Sequence, residues 1–474
     1  VSDLGAVRCG SVTIAPATAA PAARAQAREL GAAFAGNTGN MVFEEALQAL
    51  CPAARISAAN NAPAMAQYDH VIVSLANSIS PYPLSAGLAW FAEQVAQTRR
   101  LNPSVRFVVT AIGAQYPAFD ASVAVHPDRL KLVRELAETA AYVGVRGYYT
   151  AEILHAHGVR NTWVIGDPAL LHPRITKQAP TPAQGGHVVV GWTPTGWYRD
   201  VYRGFLDWAR RHDAVLVAQS TQERLLPVPG QHNVIAGPDL PAILEYYCWP
   251  GKPHAGLEAW MVRRGACFAQ PEDWYHAVTG ARLALGTRFH GNAAAIIAGV
   301  PALQLTLDTR TAELSAFHGL PSLALQDFDP RLGPAAYLEL ATAGALHQRV
   351  ATLRGNLYAF WRSVGLHAGP LASGAPGNEP DGHAGFTPGE PGERPQFNLR
   401  QRYVLRALEH ALAPDGSCRL TEEQARAVLQ VTGAPRGSGL GELIDAAPGL
   451  LFAARQAGLD ALAGRVSGPL GVPP

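Results

Sequence analysis

"GTRFHGNAAAIIAGVPALQLTL", residues 286 to 307, decides how the chain is read. It extends an apolar run, Ala281 to Leu285 broken only by Arg282, and places Arg288 and His290 where that run ends. "GNAAAIIAG" then has the composition of a small-residue helix ending at Gly299, and "PALQLTL" is a second apolar run. Strand, turn, helix and strand in this order make a parallel β-α-β unit. The first N–H groups of such a helix, near Gly291 and Asn292, have no partner within it and point beyond the strand end. A guanidinium, an imidazole and a helix N-terminus at one spot form an anion site. Glycine at 291 permits close backbone approach to a ligand. The bland alternative is that Arg288 pairs with a carboxylate and His290 caps the helix.

The same alternation extends in both directions. Upstream, "SVTIAP" (11–16), "DHVIVSLA" (69–76), "VRFVVTAIG" (105–113) and "NTWVIGDP" (161–168) read as buried strands. Helix patterns fall between them at 41–50, 87–101, 127–141 and 150–158. A Pro-rich stretch at 172–186 has the makings of a linker. Strand patterns then restart at 187–194, 214–221, 266–270, 281–288, 301–307 and 322–326, and a long helix closes the series at 347–366. Strands alternating with helices predict parallel sheets covered on both faces. The expected organisation is an N-terminal Rossmann-like domain (1–172), a C-terminal Rossmann-like domain (187–366), a Pro/Gly-rich linker (367–396) and a helical extension (397–474).

Composition narrows the function. The 474 residues exceed what one core usually supports, and a net charge of +1 gives no electrostatic reason to expect nucleic acid. The basic residues include only three lysines, and the bias toward Arg, Ala, Gly and Pro reads as a bacterial coding bias. Five scattered cysteines show neither metal-ligand spacing nor a disulfide framework, so no metal is expected. The N-terminus lacks a charged-then-apolar signal pattern, and a cytoplasmic protein is expected. For the helical extension, acceptor recognition, self-association into a homo-oligomer and weak attachment at the inner face of a membrane all fit, as does simple packing.

"GTRFHGNAAAIIAGVPALQLTLDTRTAEL" (286–314) resembles the most characteristic segment of the polysaccharide pyruvyl transferase family. The shared features are Arg288, His290, Gly291, Gly299-Val300-Pro301, Asp308, Arg310 and Glu313-Leu314. Weaker similarities lie upstream in the same order: "GNTGNMVFEEAL" (36–47), "TAIGAQYP" (110–117), "VRGYYTAEILHAHGV" (145–159) and "VIGDPALL" (164–171). Two departures stand out. Asn40 takes the place of a usual aspartate, and Gly147 and Thr150 replace Asp and Ser beside a retained Arg146.

The resemblance implies an α/β fold of two Rossmann-like domains in tandem, GT-B-like. It also implies transfer of pyruvate from phosphoenolpyruvate to a sugar of a cell-envelope polysaccharide or its precursor, with no further cofactor. A donor bearing a phosphate and a carboxylate needs at least two cationic anchors, and arginine suits both because its planar fork binds oxyanions and keeps its charge. The expected donor site is Arg146, Arg288, His290, Gly291 and Asn292. His290 is the expected acid–base group and Arg288 its catalytic partner. On the carbohydrate acceptor side, Asn37 and Asn40 are candidates for sugar hydroxyls, against a plain tight turn. Asp167 is a base or a cap, and Trp192 and Trp249 are sugar-stacking candidates, with the other tryptophans assigned to the core. Asp308 and Arg310 read as a mutual pair or a substrate contact. A nucleotide-sugar glycosyltransferase of GT-B type and a non-catalytic glycan-binding protein are the competing readings.

Overall fold

In the computed structural model the residues described are 9–13, 37–51, 54–56, 61–117, 119, 122–183, 185–193, 199–219, 225–227, 234–236, 255–268 and 270–366. The chain divides into two compact units, Val1–Asp381 and Gly382–Pro474, and every described residue belongs to the first. The expected linker at 367–396, the helical extension at 397–474 and Trp249 lie outside the described residues.

The first half runs β1 (Cys9–Thr13), α1 (Gly39–Leu50), β2 (Ala54–Ile56), α2 (Ala62–Met65), β3 (His70–Ser74), α3 (Ala86–Leu101), β4 (Arg106–Thr110), α4 (Pro127–Thr139), β5 (Val143–Val145), α5 (Tyr148–Ala156) and β6 (Thr162–Val164). Strands β2-β1-β3-β4 form one parallel sheet, and β5 and β6 form a parallel pair joined to it by a bridge between Ile112 and Val145. The short strands β2 and β5 were not anticipated, because three residues are too few to show a period.

The second half runs β7 (Val188–Gly191), α6 (Arg199–Arg211), β8 (Val215–Val217), the antiparallel pair β9 (Leu225–Pro227) and β10 (Val234–Ala236), α7 (Ala255–Arg264), β11 (Gly265–Ala266), α8 (Pro271–Val278), β12 (Leu283–Gly286), α9 (Phe289–Ile297), β13 (Ala302–Thr306), α10 (Thr309–His318), β14 (Ser322–Ala324), α11 (Pro334–Thr342) and α12 (Leu346–Ser363). Its parallel sheet has the order β11-β8-β7-β12-β13-β14. Leaving aside the β9–β10 pair, that is the 3-2-1-4-5-6 order of a dinucleotide-binding fold, with its switch point between β7 and β12. Loops leave that point in opposite directions, so a crevice opens beyond the carboxyl ends of β7 and β12. The fold is therefore α/β, with two Rossmann-like sheets in GT-B-like tandem.

Side-chain size explains how the halves join. All four residues of β7 and of β12 are buried, as an interior parallel strand requires. One face of the second sheet packs on Trp192, Tyr202, Phe205, Trp208 and Trp260. The other face carries α9, whose Ala293, Ala294 and Ala295 are fully buried in one cluster with Met41, Val42 and Ala46 of α1 and with Ala169 and Leu170. Three consecutive alanines remove the bulk that would hold first-half elements away. Helix α12 crosses back: Asn356 accepts from Trp163 Nε1 at 2.8 Å and donates to the Val164 carbonyl at 2.8 Å. Arg354 on the same helix donates to the carbonyls of Leu171, His172 and Ile175, so the connection between the halves is tied down. Among the described residues no helix is long and apolar enough to cross a membrane.

Gly286 pairs with Gly191 across the switch point, and a Cβ at 286 would collide with the Gly191 backbone. Gly355, exposed in the middle of α12, has nothing within 4 Å of where its Cβ would be. Gly286→Ala is expected to lower stability by about 1–3 kcal/mol through overpacking. Gly355→Ala is expected to raise it by about 0.5–1 kcal/mol through backbone entropy. Equal denaturation midpoints for the two variants would show that the strands do not pinch as described.

Candidate functional site

Loops at the carboxyl ends of strands from both halves converge on one carboxylate. Asp167 follows β6, accepts from the Ala169 N–H at 3.0 Å and so caps the short helical turn Pro168–Leu171. Its Oδ2 forms an ion pair with Arg146, just after β5, at 2.8 Å from Nη2, and lies 3.3 Å from His290 Nε2 at the start of α9. Arg146 is 1% exposed, Asp167 0% and His290 6%, so all three are shielded from bulk water. Phe43 of α1 roofs the cluster, with the Arg146 guanidinium 5.6 Å from its ring centre and the His290 ring edge-on at 6.2 Å.

The charge states follow from burial and pairing. Burial pushes the Asp167 carboxyl up, but Arg146, then His290 and the Ala169 N–H outweigh it and hold the group well below the usual carboxylate range. Burial pulls the Arg146 guanidinium down while Asp167 opposes the shift, and arginine remains charged. His290 is lowered first by burial, restored in part by Asp167, and lowered again by Arg146 and Arg310, so its imidazole is neutral near pH 7. Nε2 faces a carboxylate, which can only accept. Nε2 therefore carries the proton, and Nδ1 is the basic nitrogen.

The other expected residues divide. Arg288 is the half-buried N-cap residue of α9, and its Nε donates to the Trp192 carbonyl at 2.9 Å, across the β7–β12 switch point. That bond goes to a carbonyl, and His290 lies inside the helix rather than at its cap. Gly291 does meet a close neighbour, but the neighbour is protein: its Cβ would stand 2.5 Å from Gln219 Nε2. Asn292 corrects the expectation. Its N–H bonds to the Arg288 carbonyl at 3.2 Å, and its side chain donates to Gly286 O and Gln304 Oε1 at 3.1 and 2.9 Å. It ties α9 to β12 and β13 and offers no free N–H to a ligand. Trp192 is a second correction: it is 1% exposed and packs edge-on against Tyr202 at 5.9 Å, so it is core and cannot receive a sugar.

Asn37 uses Oδ1 to accept from Gly39 N at 3.0 Å, and Asn40 N donates to Asn37 O at 3.0 Å, so the tight turn is present. Thr38 N in this turn reaches across to Gln219 O at 2.7 Å, which brings Asn37 and Asn40 to the same crevice, both half-buried. Asp308 and Arg310 approach only to 3.9 Å. Asp308 is instead the capping-box residue of α10 and accepts from Gln115 Nε2 at 2.8 Å. Arg310 Nε, buried, has no hydrogen-bond partner.

Sequence reasoning missed Asn77, which accepts from Arg146 Nη1 at 3.3 Å, and also Gln219 and His318, and it gave Glu313 no role of its own. Glu313 accounts for the departure at 147. It accepts from Thr150 N and Thr150 Oγ1 at 2.8 and 2.9 Å, and a Cβ at 147 would run into its side chain. His318 Nε2 accepts from the Asp167 N–H at 2.8 Å. Asn77 and Gln219 each stand within three residues of a strand's carboxyl end, which is the signal that would have found them.

Two parallel α/β sheets meeting at their carboxyl ends over arginines and a buried Asp–His pair define a GT-B-like protein with a cationic crevice. The chain belongs to the polysaccharide pyruvyl transferase family, whose model matches residues 37–308. No curated protein matches the chain in sequence. Among solved structures it is similar to S. aureus MnaA with UDP, at 9% identity and a TM-score of 0.34 over 69% of this chain and 80% of that one. It is also similar to Methanocaldococcus jannaschii UDP-GlcNAc 2-epimerase with UDP-GlcNAc and UDP, at 11% identity and a TM-score of 0.30 over 69% and 82% of the two chains. A third is Neisseria meningitidis UDP-GlcNAc 2-epimerase with UDP-GlcNAc, at 10% and 0.30 over 62% and 76%. Scores this low say nothing of chemistry.

His318 supplies a test of this geometry. Burial, opposed by Asp167 and aided by Arg349 and Arg146, lowers its pKa to about 3, against an ordinary 6.5, and the neutral ring accepts from the Asp167 N–H. Between these values the unfolded chain takes up a proton that the folded one refuses, so stability falls as pH drops through this window. His318→Gln keeps an acceptor near the Nε2 position and removes the titration. The variant is expected to lose much of the slope of denaturation midpoint against pH between 6.5 and 4. An unchanged slope would show that His318 is not buried in this way.

Proposed function

We propose that the protein transfers pyruvate from phosphoenolpyruvate to two hydroxyls of a sugar, forming a ketal on a cell-envelope polysaccharide or its precursor. The observation that carries this reading is the Arg146–Asp167–His290 cluster at the meeting of the two sheets, flanked by Arg288 and Arg310. Family membership supports a pyruvyl group and a carbohydrate acceptor.

The reaction needs a proton added to the methylene carbon and a sugar hydroxyl added to the adjacent carbon. The bond from that carbon to the phosphate oxygen then breaks, and a second hydroxyl closes the ketal. Two hydroxyl protons are released; one is matched by the proton gained at the methyl group and the other leaves with phosphate. A neutral imidazole whose Nε2–H is held by a carboxylate suits this traffic. Nδ1 takes a hydroxyl proton, Asp167 stabilises the imidazolium, and the proton is returned to carbon or phosphate. Arg288 and Arg310 offset the donor's phosphate and carboxylate charge, with Arg146 fixed behind them. Charge on the donor is met by arginine in this reading, so turnover is expected to survive EDTA. Loss of activity with the chelator would reject that part.

Phosphoenolpyruvate incubated with the protein and a panel of glycan acceptors should release inorganic phosphate and add the mass of a pyruvyl ketal to one acceptor. His290→Ala should lower kcat by about 10²–10⁴. Arg288→Ala should act mainly on KM for phosphoenolpyruvate. Release of a nucleotide from a sugar donor would favour the glycosyltransferase reading. Binding of phosphoenolpyruvate with no turnover over any acceptor would favour a binding protein.

A further inference from the structure

The loops after β3 and β4 display two aromatic rings, Tyr82 at 67% exposure and Phe119 at 44%. Tyr82 stands between Pro81 and Pro83, and its backbone is held from beneath. Arg129, on the first turn of α4 and 8% exposed, donates Nε to Tyr82 O at 2.6 Å, Nη1 to Ser78 O at 3.0 Å and Nη2 to Pro83 O at 2.9 Å. Burying a guanidinium costs free energy unless its donors are used, and here they are spent on the carbonyls of one loop. The outcome is a rigid backbone under a side chain left in solvent. Core packing does not call for that.

The two loops are one structure. Ile79 N bonds to Gly113 O at 3.1 Å, Gln115 N to Ile79 O at 3.2 Å, and His126 N to Ser80 O at 3.0 Å. Phe119 leans edge-on against buried Tyr149 at 5.0 Å. The first loop also starts at the charged cluster, through the bond from Arg146 to Asn77. Tyr82 lies five residues on from Asn77, a span of at most about 18 Å. A ring there lies within reach of a glycan whose reacting sugar is at His290. Isolated rings on Pro- and Ser-containing loops do not make the contiguous apolar patch that a protein partner requires. A pre-ordered tyrosine gives up little entropy on stacking against the apolar face of a sugar.

We propose that the β3 and β4 loops form an acceptor subsite in which Tyr82 stacks on a sugar ring outside the reacting one, with Phe119 as a second apolar surface. The subsite rests on the pyruvyl-transfer reading for its link to catalysis but not for its ability to bind glycan. The test is binding of the full chain to immobilised bacterial di- to hexasaccharides without phosphoenolpyruvate, followed by phosphate release on any glycan bound. Tyr82→Ala is expected to weaken binding roughly tenfold, and Tyr82→Phe and Tyr82→Trp to hold it within about threefold, because the ring face carries the contact. Melting temperature should not move, Tyr82 being exposed. Wild-type protein that binds no oligosaccharide, or Tyr82→Ala that binds as wild type, overturns the proposal. So does dissociation of an oligomer by Tyr82→Ala in sedimentation, which would make the loop a protein interface. Glycan binding that depends on Tyr82 without phosphate release would sink the transfer reading and leave the subsite standing. Phosphate release that is indifferent to Tyr82→Ala on an extended acceptor would do the reverse.

Discussion

A carboxylate with no access to water, held between an arginine and a histidine, is the constraint around which this molecule is arranged. Asp167 at 0% exposure would be untenable as an anion without Arg146 at 2.8 Å, and Arg146 at 1% exposure would be untenable without Asp167. Neither residue moves freely, because Arg146 directly follows β5, with its N–H bonded to Ile112 O, and Asp167 caps the turn after β6. His290 belongs to a different sheet, yet it shares the same oxygen. The position of α9 is thus referenced to two strand ends of the first half, and any chemistry done by His290 inherits that registration.

The rest of the interface reinforces it. Helix α10 is bonded along its length to the first half: Asp308 to Gln115, Thr309 to Tyr116 through two bonds at 3.0 Å each, Glu313 to Thr150, and His318 to the Asp167 N–H. The alanines of α9 allow α1 to close on the other side. Fixed dipoles and charges that need no reorganisation are what electrostatic stabilisation of a transferring anion requires. The same rigidity explains why Gly147 is tolerated. The carboxylate that caps α5 comes from Glu313 on a neighbouring helix, so residue 147 need supply no side chain.

Much of this was legible in the sequence because parallel strands buried on both faces are continuous apolar runs. β3, β4, β7, β12 and β13 were found within a few residues of their ends. Arg288 and His290 were legible for a related reason, since a charged residue at the end of an apolar run stands out, whereas Arg146, after a strand too short to read, was picked out only by the family resemblance. What was illegible is pairing at long range. Nothing local links Asp167 to His290, 123 residues away, or His318 to Asp167, 151 away. Asn292 was misread because an amide on a helix's first turn resembles a ligand contact until Gln304, twelve residues on, is seen to claim it. Trp192 was misread because it follows the last residue of β7, where a loop position and a core position differ only by rotamer.

The committed bonds also decide where a proton can go. Asp167 is ionised and bound to Arg146; Asp308 caps α10; Glu313 caps α5. Each of these carboxylates would have to break its bonds to act as a base. Asn40, in the turn that reaches Gln219, has no titratable proton in the neutral range. His290 differs from all of them. Its neutral form is favoured by burial, while Asp167 favours the charged form and opposes that shift, and an anion entering beside it would act in the same sense as Asp167. Under the proposed reaction the donor would therefore summon the proton that its own methylene carbon needs.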